Sequence, residues 1–282
     1  MQQAELTNQQ FSDFSALIES RLGIKMPPAK RTMLQSRLLR RARELGLEDV
    51  HAYHARFFSN DQDQRAELEH LINLATTNKT DFFREPDHFD FLGQQVLPAW
   101  RKRTPSAFFK VWCAGCSTGE EAYTLAMVLL EQQVRGAFDF SILATDVSTR
   151  VLEKAMAATY DEEHAAPVPP PLRKKYLLRG TGATAGLVKI APQVRSHVRF
   201  GHLNFLSERY GIREKFDVIF FRNVMIYFDR DTQRQIVSKM CELLSPGGWL
   251  FTAHAETLQG LGLPLETVAI ATYVRTKGTP SP

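Results

Sequence analysis

The chain has 282 residues, 44% of them hydrophobic, and no apolar run of the roughly 18 residues that a membrane-spanning helix needs, so membrane insertion is excluded as an expectation. Three cysteines (Cys113, Cys116, Cys241) exclude a disulfide framework, and the polar start MQQAELTNQQ has no signal-peptide core, so a cytoplasmic location is expected. The net charge of +4 is modest but uneven: seven basic residues and no acidic one lie between Lys25 and Arg43.

Residues 1–75 read as a small helical domain. Phe11, Phe14, Leu17, Ile18 and Leu22 recur at helical spacing up to Gly23, and Leu34, Leu38, Leu45 and Leu47 follow around Gly46. Tyr53, Phe57, Leu68, Leu71 and Leu74 complete the bundle. On its second helix Arg37, Arg40 and Arg41 share one side, because residues three and four apart are neighbours. Such a ridge is either a solvated face or a steering surface for an acidic partner. It has no interleaved aromatics and no accompanying nucleic-acid motif, so nucleic acid is not the expected partner. Residues 76–90, containing TTNKTDFFREP, read as a linker that brings polar side chains to the next domain.

From Phe108 the pattern alternates strand and helix, which predicts βαβ units and a mostly parallel sheet. The first unit is VWCAGCSTGEEAY, a strand emptying into a loop of small residues before a helix opened by Glu120 and Glu121. Gly115 and Gly119 complete neither a dinucleotide fingerprint nor a phosphate loop, and two carboxylates are wrong for a phosphate at a helix N-terminus. The loop is therefore expected to cradle a ligand bearing positive charge or hydroxyls. Cys113 and Cys116 form C-x-x-C without further ligands nearby, so they are read as small loop residues and no metal is expected.

The second strand ends in Asp146, where open α/β sheets hold ribose hydroxyls, with a helix N-cap as the rival role. A proline cluster and the turn-forming RGTGATAG then precede short strands at Leu187–Ile190 and His197–Phe200, read as an antiparallel insertion at about 172–200. Phe216–Phe221 is a buried strand delivering Arg222, Asn223 and Tyr227 at its C-terminal end. Asp229–Leu244 is an amphipathic helix, SPGG turns it into a strand at Trp249–Ala253, and Leu265–Lys277 forms one or two final strands.

Taken together, NKTDFFRE, VWCAGCSTGEEAY, ILATDVSTRVLEKA, FDVIFFRNVMIYFD and LLSPGGWLF closely resemble the CheR family of chemotaxis receptor glutamate methyltransferases, over nearly the whole chain. The resemblance implies an α/β fold: a Rossmann-like S-adenosylmethionine-dependent methyltransferase sheet over 91–282 with a small inserted antiparallel β-subdomain, preceded by a small all-α N-terminal domain. It implies that Asn78, Thr80, Arg84, Glu121, Asp146, Asn204, Phe205, Arg222 and Asn223 hold S-adenosyl-L-methionine, with Ala114 and Gly115 allowing close approach and Phe205 standing where Leu is commoner. Arg84 and Tyr227 are the candidates for orienting the acceptor carboxylate or the cofactor, and S-adenosyl-L-homocysteine is the implied product.

Implied partners are the cytoplasmic helical bundle of methyl-accepting chemoreceptors, facing Arg37, Arg40 and Arg41, and a receptor C-terminal peptide at the loop carrying Gly180, Gly182 and Gly186. Recruitment to chemoreceptor arrays follows from the same resemblance. The alternatives are an S-adenosylmethionine-binding docking module with little catalysis and a nucleic-acid methyltransferase; Arg-Asn-Val-Met-Ile-Tyr at the strand end is not the Asp/Asn-Pro-Pro-aromatic of amino-methylating enzymes.

Overall fold

The computed structural model describes residues 5–103, 108–134 and 136–276. Four helices come first: α1 (Asn8–Leu22), α2 (Arg31–Glu44), α3 (Val50–Phe57) and α4 (Asp61–Ala75). Thr7 starts α1 with a capping box closed by Gln10, and Gly23 ends it in the left-handed conformation that a side chain would resist. Phe14, Ile18, Leu34, Leu38, Tyr53, Phe57 and Leu71 meet in the centre of this bundle. One polar tie crosses that core: Arg41 grips the buried Glu67 through Nε at 3.0 Å and an Nη at 2.9 Å, and Tyr53 donates to the same carboxylate at 3.2 Å.

The linker runs without regular structure into α5 (Asp87–Phe91), which continues through one π-helical turn at Leu92–Val96 into α6 (Leu97–Arg103). The second domain then alternates β1 (Phe108–Ala114), α7 (Glu120–Gln133), β2 (Asp139–Asp146) and α8 (Thr149–Ala157). An insertion follows, made of β3 (Thr159–Asp161), α9 (Pro170–Tyr176), β4 (Leu177–Arg179) and β5 (Leu187–Ile190), after which α10 (Pro192–Arg195) leads back to β6 (Val198–His202). The chain ends through β7 (Phe216–Phe220), α11 (Arg230–Leu243), β8 (Leu244–Phe251), β9 (Leu265–Ala269) and β10 (Thr272–Arg275).

The large sheet has the order β6-β2-β1-β7-β8-β10-β9, parallel from β6 to β8 and antiparallel at β10 and β9. The strands of its centre read as near-continuous apolar runs because helices cover both faces, and Val111, Trp112, Val218 and Ile219 are fully buried. β1 has β2 on one side and β7 on the other, so the direction of winding reverses beside β1, and open α/β sheets bind ligands at the C-terminal ends of the strands flanking such a point.

The inserted strands differ from expectation in their limits. β3, β5 and β4 form a separate three-stranded antiparallel sheet, which begins upstream at Thr159; the strand expected at His197–Phe200 is β6, the parallel edge of the large sheet on β2. Its mixed polarity reflects an edge position, not membership of a hairpin. β8 likewise starts at Leu244 and runs through the SPGG stretch, with a register shift opposite Phe216–Val218. Lys277, expected in the last strand, lies outside the described residues. Among the described residues no helix is long and apolar enough to cross a membrane.

Candidate functional site

At the C-terminal end of β1 the backbone must turn sharply, and it does so through Gly115 at φ +84°. A Cβ there would lie 2.5 Å from Val224 Cγ2, so only glycine lets the two loops meet. The amides of Gly115 and Cys116 both donate to Thr145 O, at 2.8 and 2.9 Å, lacing the loop to the end of β2. Asp146 completes the lacing: one carboxylate oxygen accepts from Ser117 N at 2.9 Å and the other from Ser148 N at 3.0 Å. Burial pushes the Asp146 carboxyl up and the amides of Ser148 and Ser117 oppose that. The N-cap of α8 is Ser148, which leaves Asp146 at the ligand face. Ser117 Oγ donates to Asn78 O at 2.9 Å and straps the linker across the loop.

We expect Gly115→Ala to cost about 1–2 kcal/mol of stability from the positive φ and to weaken S-adenosylmethionine binding more than about tenfold, because Val224 is driven into the cavity. Calorimetric titration beside a thermal melt separates the two effects.

Arg222 follows β7 and is almost wholly buried, its guanidinium 2.9 Å from Glu121 and 3.1 Å from Glu85, with a third contact to Arg84 O at 2.5 Å. Phe89 lies under its charged plane at 5.6 Å. Glu121 is pushed up by burial and pulled down by Arg222, with Cys113 Sγ donating to it at 3.4 Å. Burial holds the thiols of Cys113 and Cys116 well above the usual range, so both stay protonated and inert. Opposite Arg222, Glu256 accepts from the amides of Asn223 (3.0 Å), Ala253 (2.9 Å) and Ile226 (3.3 Å) and fixes the loop in which Asn223 sits at φ +58°. Burial raises Glu256 against these same amides.

These elements enclose one cavity. Asn78, Thr80 and Arg84 reach it from the linker, Gly115 and Glu121 from the first unit, Asp146 from β2, Asn204 and Phe205 from the chain after β6, and Arg222, Asn223 and Tyr227 from the chain after β7. Ala114 does not: it is the last residue of β1, buried against the core beneath the loop, and Ser117 takes the wall position instead. Arg84 is exposed, with a single weak contact to Lys79 O at 3.5 Å, so its charge is available. Asn204 is committed elsewhere, its Nδ2 donating to Arg21 O at 2.7 Å and its Oδ1 accepting from Leu206 N.

The helical domain supplies part of the wall, through Leu22 and Ile24 at the end of α1. Lys25 N donates to Tyr227 O at 3.2 Å, and Tyr227 Oη to Thr77 O at 3.3 Å, so the domain, the linker and the β7 loop are tied together at the cavity mouth. Leu22, Ile24 and Glu256 carry no local sequence signal for these roles. Glu256 follows a strand end, but only the folded loop reveals what it caps.

The basic ridge is partly spent on the fold. Arg37 donates to Leu74 O (2.5 Å) and Thr76 O (2.9 Å), holding the end of α4, and Arg41 is the partner of Glu67, whereas Arg40 and Arg43 are exposed. Gly180, Gly182 and Gly186 lie far along the chain from the cavity-lining residues, in the β4–β5 loop. There Gly180 makes a turn too tight for a Cβ against Thr184 O.

A sulfonium, an ammonium, a carboxylate and ribose hydroxyls match a wall that offers Glu121, Asp146 and a free Arg84 around a glycine that admits no Cβ, so the residues present fit S-adenosylmethionine.

Comparison with known proteins gives the same assignment. Residues 78–274 match the family model described as the CheR methyltransferase, SAM binding domain, and residues 9–76 match the CheR methyltransferase, all-alpha domain. The chain is 39% identical to the chemotaxis protein methyltransferase of Escherichia coli K12, over 91% of this chain and 87% of that one. It is 34% identical to the chemotaxis protein methyltransferase of Borreliella burgdorferi, over 95% and 94%. Among solved structures, the magnesium protoporphyrin IX methyltransferase of Synechocystis with bound SAM is 13% identical at a TM-score of 0.38, covering 78% of this chain and 94% of that one.

Proposed function

We propose that this chain, which belongs to the CheR methyltransferase family and so depends on S-adenosylmethionine, methylates glutamate side chains of chemoreceptors, giving glutamate methyl esters and S-adenosylhomocysteine. When bound, the cofactor supplies a methyl group on a cationic sulfur. The observation that carries the reading is that Arg84, without an ion-pair partner among the described residues, stands at the rim of a cavity that Glu121 and Asp146 also line.

A glutamate carboxyl has a reference pKa of about 4.3 and is ionised at neutral pH, so the acceptor needs no general base. One carboxylate oxygen bonds to the methyl carbon as the carbon–sulfur bond breaks and its electron pair stays on sulfur. The protein's task is alignment: Arg84 would hold the incoming carboxylate or the cofactor's own, and Tyr227, tied to the linker through Thr77 O, would help orient it at the cavity mouth. Glu121 and Asp146 fix the donor by its polar groups. Leu22, Ile24 and Phe205 exclude water while opposite charges neutralise each other.

Transfer of labelled methyl from S-adenosylmethionine to isolated receptor cytoplasmic fragments tests this. The label should be released as methanol by mild alkali, as an ester requires; absence of labelling, or an alkali-stable label, overturns the reading.

For the receptor, Arg40 is the exposed member of the ridge and, with the exposed Arg43 one turn on, suits an acidic helical surface. Reversing both to Glu is expected to raise the receptor KM at least about threefold at low salt while S-adenosylmethionine affinity holds. An unchanged KM would leave the ridge a solvated face. Arg41 is unsuitable for that test because its loss strands Glu67.

A receptor C-terminal peptide is the second proposed ligand. β5 is the centre of the inserted sheet, so among the described residues β4 is an unpaired edge, with Leu178 exposed, Arg173 and Lys174 lining a depression beside it, and Arg179 there paired with Glu162. Strand addition there, beside the Gly180, Gly182 and Gly186 loop, suits an acidic peptide. The same reading places the protein in the cytoplasm at receptor arrays.

A further inference from the structure

On the far side of Arg222 from Glu121, three side chains from two segments converge. Glu85 lies just before α5, His88 in its first turn, and His254 in the chain just past β8. One donor atom of each lies within 4.8 Å of the others. His88 Nδ1 is 3.6 Å from Glu85 Oε2, too long for a hydrogen bond, and the two imidazole rings meet edge to face at 4.7 Å. His254 Nε2 is 3.0 Å from Asp87 Oδ2.

His88 is the unusual member. Its side chain is 2% exposed and, among the described residues, neither ring nitrogen has a hydrogen-bond partner. Buried polar atoms are ordinarily satisfied, and leaving one unpaired costs about 1–3 kcal/mol. A ring nitrogen turned toward a carboxylate and a second imidazole is therefore placed as a ligand is placed.

We propose that Glu85, His88 and His254, with Asp87 as a fourth donor, form a binding site for one divalent transition-metal ion of the zinc class. Two imidazoles and carboxylate oxygens are the donor set that zinc accepts, whereas magnesium and calcium take oxygen. Glu85 Oε2, the oxygen 3.6 Å from His88, is also the one 3.1 Å from Arg222, so on metal binding Oε2 stays on the guanidinium and Oε1 turns to the ion.

Zinc–nitrogen bonds of about 2.0–2.1 Å put tetrahedral donors roughly 3.3–3.5 Å apart, so the cluster must contract. The movement falls on the outer side chains, His254 at 38% and Asp87 at 59% exposure, while His88 stays in its packing. Bound metal would pin the start of α5 to the end of β8, the two segments that hold Arg222 from behind, and raise the melting temperature.

The test uses the full chain without a polyhistidine tag. Competition with a chromophoric chelator should give one Zn2+ per chain, and a Co2+ adduct should lack the near-ultraviolet thiolate charge-transfer band. His254→Ala should weaken Zn2+ at least about tenfold, since even loss of an outer-shell partner costs that much. A Cys113→Ser/Cys116→Ser variant should bind as before. His254 sits at the exposed edge, and an unchanged melt of the metal-free variant keeps that result free of misfolding. No stoichiometric Zn2+, undiminished binding by His254→Ala, or a thiolate band on Co2+ overturns the proposal.

Discussion

Arg84→Ala is expected to lower the rate of methyl transfer by about a hundredfold or more, with a melting temperature within a degree or two of the parent. Arg84 makes one 3.5 Å contact with Lys79 O, is exposed, and lines the cavity, so its removal takes no support from the fold. What it does remove is the free cation at the rim beside the transfer. Holding reactants in line is worth up to roughly 7–11 kcal/mol, and a misplacement of about 1 Å costs on the order of a hundredfold. Single-turnover transfer to a receptor fragment, with S-adenosylmethionine titrated separately, divides the loss between alignment and binding. Near-normal turnover would remove Arg84 from the chemistry.

Arg222→Met has the largest expected effect on stability, about 3–5 kcal/mol by urea denaturation, together with loss of S-adenosylmethionine binding. The guanidinium is almost wholly buried between Glu121 and Glu85, and methionine fills its volume without its charge. Two carboxylates would then face each other without compensation. Burial already pushes Glu121 up against the pull of Arg222, and removing that pull raises it further. A carboxyl whose folded pKa lies above its unfolded value destabilises in full above that folded pKa and progressively less as the pH falls from it toward the unfolded value. The deficit of Arg222→Met should therefore shrink on acidification, and Glu121→Gln added to it should recover part of the stability at neutral pH but none of the binding. A single variant within about 1 kcal/mol of the parent would show that Arg222 is not the clamp.

Much of this architecture is legible before folding. The four-helix start, the βαβ alternation and the loop at Gly115 rest on local periodicity and on glycine's freedom at positive φ, both properties of short stretches. The acids after the loop correctly pointed away from phosphate. Misreadings came where a residue's role depends on what approaches from elsewhere. Ala114 looked equivalent to Gly115 in the loop, yet lies under it because β1 continues to that residue. Asn204 is implied by the resemblance to hold the cofactor and does line the cavity, yet Arg21 O, 183 residues away, takes its amide. Arg37, Arg40 and Arg41 share a helix face by spacing, but α4 packs against that face and claims two of them.

The family, the parallel sheet and the stretches that reach the strand ends are readable from the chain alone, because they follow from motifs and from patterns repeated every two or 3.6 residues. Tertiary structure alone decided that the helical domain walls the cavity with Leu22 and Ile24, that Arg222 spans Glu121 and Glu85, and that Glu85, His88 and His254 converge behind it. Those arrangements join distant stretches, with Arg222 and Glu85 137 positions apart and His254 and Glu85 169 apart. Contact at that separation is set by the crossing of elements in space, which no local spacing encodes. The loop Val111–Tyr123 could be found in a line of letters; its working partners could be found only in the fold.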